Sequence, residues 1–204
     1  MTDYETVKDF VNEIIIKRSR FITYLYRIED SIDAENKLTA LRKKHYDATH
    51  VCYAYVADEN GNELRYSDDG EPSGTAGQPI LDALKKSGVK KTLVAVVRYF
   101  GGTLLGAGGL VRAYSSSCSE AIAKVAKIKM KYRDIYQIDF DFSTYRKIES
   151  PLKRVCEILS IEYTTCITVR VCTSVGYDFK SQLDSICATN TSPKFLGSEY
   201  VMEK

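Results

Sequence analysis

The sequence lacks several patterns that mark common classes of protein. It has only two histidines in 204 residues, and none of its six cysteines are spaced as CxxC, so spacing supports neither a zinc site nor a Cys–His nucleophile. No apolar run approaches the roughly 20 residues that a membrane-spanning helix requires. The acidic N-terminus lacks the apolar stretch of a secretory signal. These absences predict a cytoplasmic protein with reduced cysteines, no metal, no cofactor and no contact with a membrane.

What the sequence does contain is a glycine-rich loop between a predicted strand and a predicted helix. Residues 93–97 form an unbroken apolar run, which is typical of a strand buried on both faces. From Leu110 to Val125 apolar residues recur every three or four positions, as they do in an amphipathic helix. Between the two lie five glycines in nine residues: Gly101, Gly102, Gly106, Gly108 and Gly109.

This strand, loop and helix together predict an anion-binding site. Glycines let backbone N–H groups turn toward a ligand, and a helix N-terminus carries about half a positive charge. Arg98 precedes the loop, and Arg112 and Ser115 follow it on the helix. We therefore expect both guanidinium groups to face one cavity and to select polyanions.

Two features of the loop leave alternatives open. Tyr99 and Phe100 could stack on an unpaired base, or they could lie in the core. The segment matches neither GxxxxGK nor GxGxxG, because no Lys follows Gly106 and Val111 takes the last position. A mononucleotide site of the common types is therefore not expected, and the glycines could serve only to form a tight turn.

A second loop, SDDGEPSGTAGQP at residues 67–79, is rich in Gly, Pro, Ser and Asp and is typical of irregular structure. Thr75 is predicted to cap the helix that follows, and Gly88 to end it. Its acids could form an acid/base pair or a magnesium site. They could also bond their own backbone, or pair with Arg98 and Arg112. The motif residues of this loop are Asp68, Asp69, Glu71, Ser73, Gly74, Thr75 and Gly77.

Charge is unevenly distributed although the net charge is only +2. From Asp58 to Asp82 there are seven acids against one base, and from Ala83 to Arg133 there are eleven bases against one acid. Neighbouring blocks of opposite sign could neutralise each other on a solvated surface. A basic stretch around a glycine-rich helix start also attracts polyphosphate.

Periodicity predicts an α+β protein of two domains, residues 1–127 and 128–204. In the first domain we expect strands at 13–17, 21–28, 51–56 and 63–66, with a helix capped by Asp30 or Ser31. In the second we expect a strand over 136–142, a helix from Thr144 to Leu159, a hairpin near Thr164, a helix capped by Ser174 and a final strand from Phe195. This order, β-α-β-β-α-β, is that of a ferredoxin-like domain.

Two segments, SDDGEPSGTAGQP and VRYFGGTLLGAGGLVRAY, together resemble the signature of the YigZ/IMPACT family, and the resemblance spans the whole chain. It implies an N-terminal IMPACT-type domain with the α/β fold of the second domain of a small-subunit ribosomal protein, a fold also used as domain IV of elongation factor G. It implies a C-terminal ferredoxin-like domain similar to the last domain of elongation factor G.

The resemblance also implies a role around translation, with nucleic acid as a partner of bacterial members. Eukaryotic relatives restrain the amino-acid-starvation kinase pathway, but we do not expect that activity, because this chain lacks their extra N-terminal domain. No catalytic residues carry over from the family.

Three functions remain to be distinguished. The first is a non-enzymatic regulator that binds RNA or ribosome phosphates through the glycine-rich loop. The second is an enzyme acting on a nucleotide or a phosphorylated small molecule, since GAGGLVRAYSSS is loosely similar to the phosphate loops of small-molecule kinases. The third is a protein–protein adaptor in translation control. We assign no catalytic residue and favour the first.

Overall fold

The structure is a computed structural model that describes residues 1–187 and 191–203. It divides into two compact units, Thr2–Met130 and the residues from Lys131 onward. None of the helices in these described ranges is long and apolar enough to cross a membrane. In chain order the elements are β1 (Tyr4–Val7), β2 (Phe10–Ile16), β3 (Ser19–Arg27), α1 (Ser31–Lys44), β4 (His50–Val56), β5 (Leu64–Ser67), α2 (Gly77–Ser87), β6 (Thr92–Tyr99), α3 (Ala107–Lys124), β7 (Lys127–Phe140), α4 (Phe142–Val155), β8 (Glu157–Tyr163), β9 (Ile167–Ser174), α5 (Phe179–Ile186) and β10 (Lys194–Met202).

The N-terminal unit is built on a five-stranded sheet of order β2-β3-β6-β4-β5, in which every neighbouring pair is antiparallel. Val94 and Val96 point to the face covered by α2 and α3. Leu93, Ala95 and Val97 point to the face covered by α1. The apolar run that predicted a strand buried on both faces is thus the middle strand of this sheet.

Two short-range predictions in this unit are confirmed and one is wrong. Asp30 caps α1 by accepting a hydrogen bond from the Asp33 amide at 2.8 Å, and Gly88 ends α2 in a left-handed conformation. Thr75 does not cap α2, because its hydroxyl donates to the Pro72 carbonyl at 2.6 Å. The side chain of Asp68, farther back in the same loop, accepts from the amides at the start of α2 instead.

No pattern in the sequence indicated β1, which pairs antiparallel with residues 127–130. These residues are the first part of β7, and the rest of that strand belongs to the C-terminal unit. The expected domain boundary after residue 127 therefore falls at the start of a continuous strand.

In the C-terminal unit the elements follow in the order β-α-β-β-α-β. β7 pairs with β9 and β10, and β9 pairs with β8 across a turn at residues 164–166. Two predicted boundaries are wrong. α4 ends at Val155 rather than Leu159, because residues 157–163 pair with β9. Ser174 closes β9, and Asp178 caps α5 by accepting from the Ser181 amide.

Candidate functional site

The centre of the candidate site is a buried ion pair between Arg98 and Glu71. Arg98 lies near the end of β6, and its Nη1 is 2.6 Å from Glu71 Oε1, with side chains only 6% and 3% exposed. The Tyr114 hydroxyl, on α3, donates to the same Oε1 at 2.6 Å. The Arg98 guanidinium also lies between two rings, 5.4 Å from the centroid of Phe21 and 5.6 Å from that of Phe100. Its charge is therefore neutralised inside the protein.

This pairing corrects the expectation that Arg98 and Arg112 face one cavity. Arg98 lines a cavity of about 410 Å³ beside the glycine-rich loop. Arg112 is exposed and lines a different cavity of about 570 Å³, together with Ser115 and Lys17. Leu105 borders both cavities. The site thus has two adjoining parts, one neutral and one basic.

The acidic loop brings Glu71 to this position through its own turn geometry. Asp69 and Gly70 have φ angles of 43° and 85°, and the left-handed conformation that they share reverses the chain just before Glu71. The Asp69 carboxylate accepts from the Val51 amide at 2.6 Å and so fixes the loop to β4.

Asp68 fixes the other side of the loop. Its carboxylate accepts hydrogen bonds from the amides of Gly74, Ala76 and Gly77 at 2.9, 3.0 and 2.8 Å. Burial alone would raise the pKa of Asp68, but the three N–H donors outweigh it and lower that pKa. Position 77 has room only for glycine, because the Cβ of any other residue would lie 2.7 Å from the Ser67 backbone.

Of the interpretations left open for the acids, bonding to their own backbone is confirmed, and pairing with the arginines is confirmed for Arg98 but not for Arg112. Asp68 bonds the backbone of its own loop, and Glu71 is the partner of Arg98. Within the residues that the structure describes, no group of three His, Cys, Asp or Glu side chains could hold a metal ion. Ser73, the remaining polar residue of the motif, is exposed.

A basic hairpin lies against the glycine-rich loop. Lys17 and Arg18 form the two-residue turn between β2 and β3, and both have positive φ angles, 45° and 67°. Gly101 packs directly on this turn, since a Cβ there would lie 2.1 Å from the Arg18 carbonyl group. The Gly101 amide donates to the Ser19 hydroxyl at 3.2 Å.

Lys17, Arg18 and Arg112 are all exposed, and we call them the basic surface. None of the three forms an ion pair with any residue in the described part of the chain. α3 begins beside them at Ala107, after Gly106 with φ 70°, and no side chain caps its first turn. Because Ala107 and Gly108 are exposed, the unpaired amides at this helix end are open to a ligand. Gly102 lies in the loop before α3, whereas Gly108 and Gly109, which were expected in the loop, lie in the first turn of the helix.

The two aromatic residues of the loop have different surroundings. Tyr99 is half-buried, and its hydroxyl bonds to His45 Nδ1 at 2.8 Å and donates to Asp47 at 3.1 Å, so it is not in the cavity. Phe100 is 46% exposed and lines the cavity beside Arg98. Of the two, only Phe100 is placed to stack on a ligand.

Sequence reasoning missed several residues of the site. Tyr114 was part of an apolar stripe, and its spacing did not reveal the hydroxyl that reaches Glu71. The sequence places Lys17 at the end of a predicted strand and Arg18 in the turn after it, and neither is assigned to the site, because their position beside Gly101 depends on a contact between distant parts of the chain. Cys118, the first cysteine after the loop in the sequence, is fully buried, and burial raises the pKa of its thiol to about 12, which is unsuited to a nucleophile.

Comparisons with known proteins identify the family of this chain. The Impact N-terminal domain matches residues 17–122. The IMPACT family member YvyE of Bacillus subtilis (strain 168) is 44% identical over 151 residues, which cover 74% of this chain and 70% of that protein. The IMPACT family member YigZ of Escherichia coli (strain K12) is 38% identical over 160 residues, with 76% and 78% covered.

A crystal structure described as that of a hypothetical protein aligns with a TM-score of 0.65 and 31% identity over 95% of this chain and 97% of that chain. The N-terminal unit is therefore an Impact N-terminal domain within a two-unit α/β architecture. The chain belongs to the IMPACT family, and the resemblance of its two loops to that family is confirmed.

Proposed function

We propose that the protein is a non-enzymatic regulator in translation that binds RNA or ribosome phosphates through the basic surface. The family resemblance implies the role in translation, and such a role implies a cytoplasmic protein. The observation that carries the proposed contact is the exposure, beside an uncapped helix N-terminus, of three cations that form no ion pair with the residues described. Positive side chains and backbone amides together are the usual means of holding phosphates.

The same geometry supports the choice of these three cations. Arg98 is excluded, because its charge is already neutralised by Glu71 and its side chain is buried. Lys17 and Arg112 border one cavity, and Arg18 continues the turn on which Gly101 packs. Contacts of this kind recognise the phosphate backbone with little preference for sequence.

The fold of each unit is consistent with this role. We infer that the C-terminal unit is ferredoxin-like, like the last domain of elongation factor G, because its elements run β-α-β-β-α-β and β9 pairs with both β7 and β8. We infer for the N-terminal unit the fold of elongation factor G domain IV. Its helices α2 and α3 lie on one face of the sheet and carry both motif loops at their N-terminal ends.

A salt series with single-stranded RNA tests the proposal. Each phosphate contact contributes about −0.7 to the slope of log K against log salt, so three contacts give a slope of about −2. The triple variant Lys17→Gln/Arg18→Gln/Arg112→Gln should lose most of this slope. The matched control, Lys43→Gln/Lys85→Gln/Lys86→Gln, removes the same charge from exposed positions elsewhere and should keep it.

RNA binding that is indifferent to salt, or equal in the two triple variants, would contradict the proposal. The two other functions predict different results. An enzyme acting on nucleotides would show a rise in melting temperature with a nucleotide and magnesium. An adaptor would retain its protein partners after nuclease treatment and would bind no RNA in the salt series.

A further inference from the structure

Although Gly106 and Ala107 at the start of α3 line it, the neutral cavity beside the glycine-rich loop presents the Glu71 carboxylate and no unpaired cation, and its chemistry points to a part of a ligand other than a phosphate. Its volume is about 410 Å³. Its apolar walls include Phe100, Leu104, Leu105 and Leu110, and Leu104 at its edge is 83% exposed. Thr49 and Arg98 also line it, as do two further polar side chains, Glu71 and His50.

These two side chains present a pair of hydrogen-bond acceptors. Glu71 Oε1 is occupied by Arg98 and Tyr114, whereas Oε2 accepts no hydrogen bond from the residues described. His50 Nδ1 lies 2.8 Å from the Asp69 carbonyl oxygen. Because a carbonyl can only accept, Nδ1 carries the hydrogen, and Nε2 of the neutral ring is an acceptor. Nε2 lies 3.8 Å from Glu71 Oε2, beyond hydrogen-bond distance.

Because Glu71 Oε2 and His50 Nε2 are both acceptors, a ligand that binds to the two of them must supply two hydrogen-bond donors. A phosphate would bring further negative oxygens toward Glu71 Oε2, so it does not suit this cavity. The carboxylate charge is already balanced by Arg98, so a neutral ligand leaves no uncompensated charge. The apolar walls and the exposed ring of Phe100 favour a flat, stacking group.

Among nucleobases, only guanine has two adjacent donors on its Watson–Crick edge, N1–H and the 2-amino group. Adenine and cytosine place a ring-nitrogen acceptor beside their amino group, and uracil flanks its one N–H with carbonyls. In each of these an acceptor would face the Glu71 carboxylate or His50 Nε2, and a buried acceptor without a donor costs binding energy.

We propose that this cavity binds a guanine base, with N1–H and the 2-amino group donating to Glu71 Oε2 and His50 Nε2 and the ring stacked on Phe100. The proposal rests on the proposed function, since it assigns the base of the nucleotide whose phosphate the basic surface holds. Leu105 borders both cavities, so a ribose beside it would connect them. The base could come from a free guanine nucleotide or from an unpaired residue of RNA.

Calorimetric titration with guanosine, inosine and adenosine tests base recognition without any phosphate. Guanosine should bind, and inosine, which lacks the 2-amino group, should bind about tenfold more weakly, because the His50 Nε2 acceptor would lose its donor. Adenosine should show no binding at the concentrations that saturate with guanosine. Equal affinities for the three nucleosides, or no binding of guanosine, would overturn the inference.

Two variants connect the result to the cavity. In His50→Asn the amide nitrogen can still donate to the Asp69 carbonyl, whereas the Nε2 acceptor is lost, so guanosine affinity should fall about tenfold with little change in melting temperature. Leu104→Ala, at an exposed position, should weaken guanosine and inosine equally. Ile32→Ala, also exposed but on α1, is the control and should bind guanosine normally.

Oligoadenylate RNA with and without one guanine separates the two sources of the base. Preference for the guanine-containing RNA that disappears in His50→Asn supports an unpaired RNA residue. Guanosine binding without such a preference supports a free nucleotide. If guanosine fails to bind while RNA binding keeps its dependence on the basic surface, this inference is wrong and the proposed function is unaffected.

Discussion

Replacing Glu71 by glutamine should destabilise the N-terminal unit far more than a change of one atom suggests. Glu71 neutralises the Arg98 guanidinium at 2.6 Å, and both side chains are almost completely buried. The amide that replaces the carboxylate would have the same size and could still accept a hydrogen bond. It would carry no charge, however, and the Arg98 guanidinium would remain buried without compensation.

The structure gives the size of the effect. At 2.6 Å and an effective dielectric constant of about 20, the Coulomb attraction is about 6 kcal/mol. Part of this is offset in the folded protein by the cost of removing both ions from water. Breaking a buried pair by removing one partner typically costs about 3–5 kcal/mol. We expect the free energy of unfolding to fall by that amount.

Urea unfolding followed by circular dichroism measures this loss, and the chain contains a matched control. Glu13 makes a two-bond ion pair with Arg20 at 3.0 Å, with side chains 39% and 50% exposed. Surface pairs contribute little, so Glu13→Gln should unfold near the midpoint of the parent protein. The double variant Glu71→Leu/Arg98→Met removes both charges and should recover most of the stability lost in Glu71→Gln.

A loss below about 1 kcal/mol in Glu71→Gln would refute the reasoning, because that threshold separates buried from surface pairs. Equal losses in Glu71→Gln and Glu13→Gln would refute it as well. Either result would mean that Arg98 is solvated in solution. Its charge would then be available to a phosphate, and the division into a neutral and a basic cavity would be wrong.

Two further predictions concern the loops. Asp68→Asn should lower the free energy of unfolding at neutral pH, because three backbone N–H groups lower the pKa of Asp68 in the folded state. The contribution of the Asp68 carboxylate to stability is complete above its ordinary pKa of 3.8. It is lost as the pH falls through the lower pKa of the folded state. Urea unfolding of parent and variant should therefore converge in acid, and a difference independent of pH would contradict this cause. Gly101→Ala should lose about 1–3 kcal/mol, since its Cβ would meet the Arg18 backbone at 2.1 Å. Gly108→Ala, whose Cβ has only the Arg112 guanidinium at 3.9 Å, should unfold like the parent.

The parts of the fold that depend on local sequence were predictable. The run at 93–97 is apolar at every position because the strand has a partner on each side and a helix layer on each face. Asp30 begins α1 and Gly88 ends α2 through contacts within three or four residues. Periodicity and capping rules act over the same short distances.

The parts that depend on distant contacts were not predictable. β1 pairs with residues 120 or more positions away, and no pattern in four residues indicates such a partner. Thr75 had the right residue type to cap α2, but a more distant carboxylate, Asp68, reaches the same amides. Both errors arise because a closed fold offers partners that local rules do not consider.

Two arginines of the candidate site show the same difference between local and distant contacts. Arg98 and Arg112 stand at opposite ends of the glycine-rich segment, and reasoning from sequence assigned them the same role. The pairing of Arg98 with Glu71 depends on a reversal at Asp69 and Gly70, and composition indicates a turn there without indicating its direction. An arginine before a glycine-rich loop is therefore weak evidence for an anion site until its partners are known.

The turn at Lys17 and Arg18 is the stronger evidence for a ligand. Both residues hold positive φ angles, a conformation that costs about 1 kcal/mol or more for a residue other than glycine. Asn-Gly or Gly-Gly would form the same two-residue hairpin without that cost. The folded protein therefore bears strain to place two exposed cations where Gly101 and the start of α3 meet. Strain of this kind concentrates at binding sites, so the hairpin supports the proposed contact of the basic surface with phosphates.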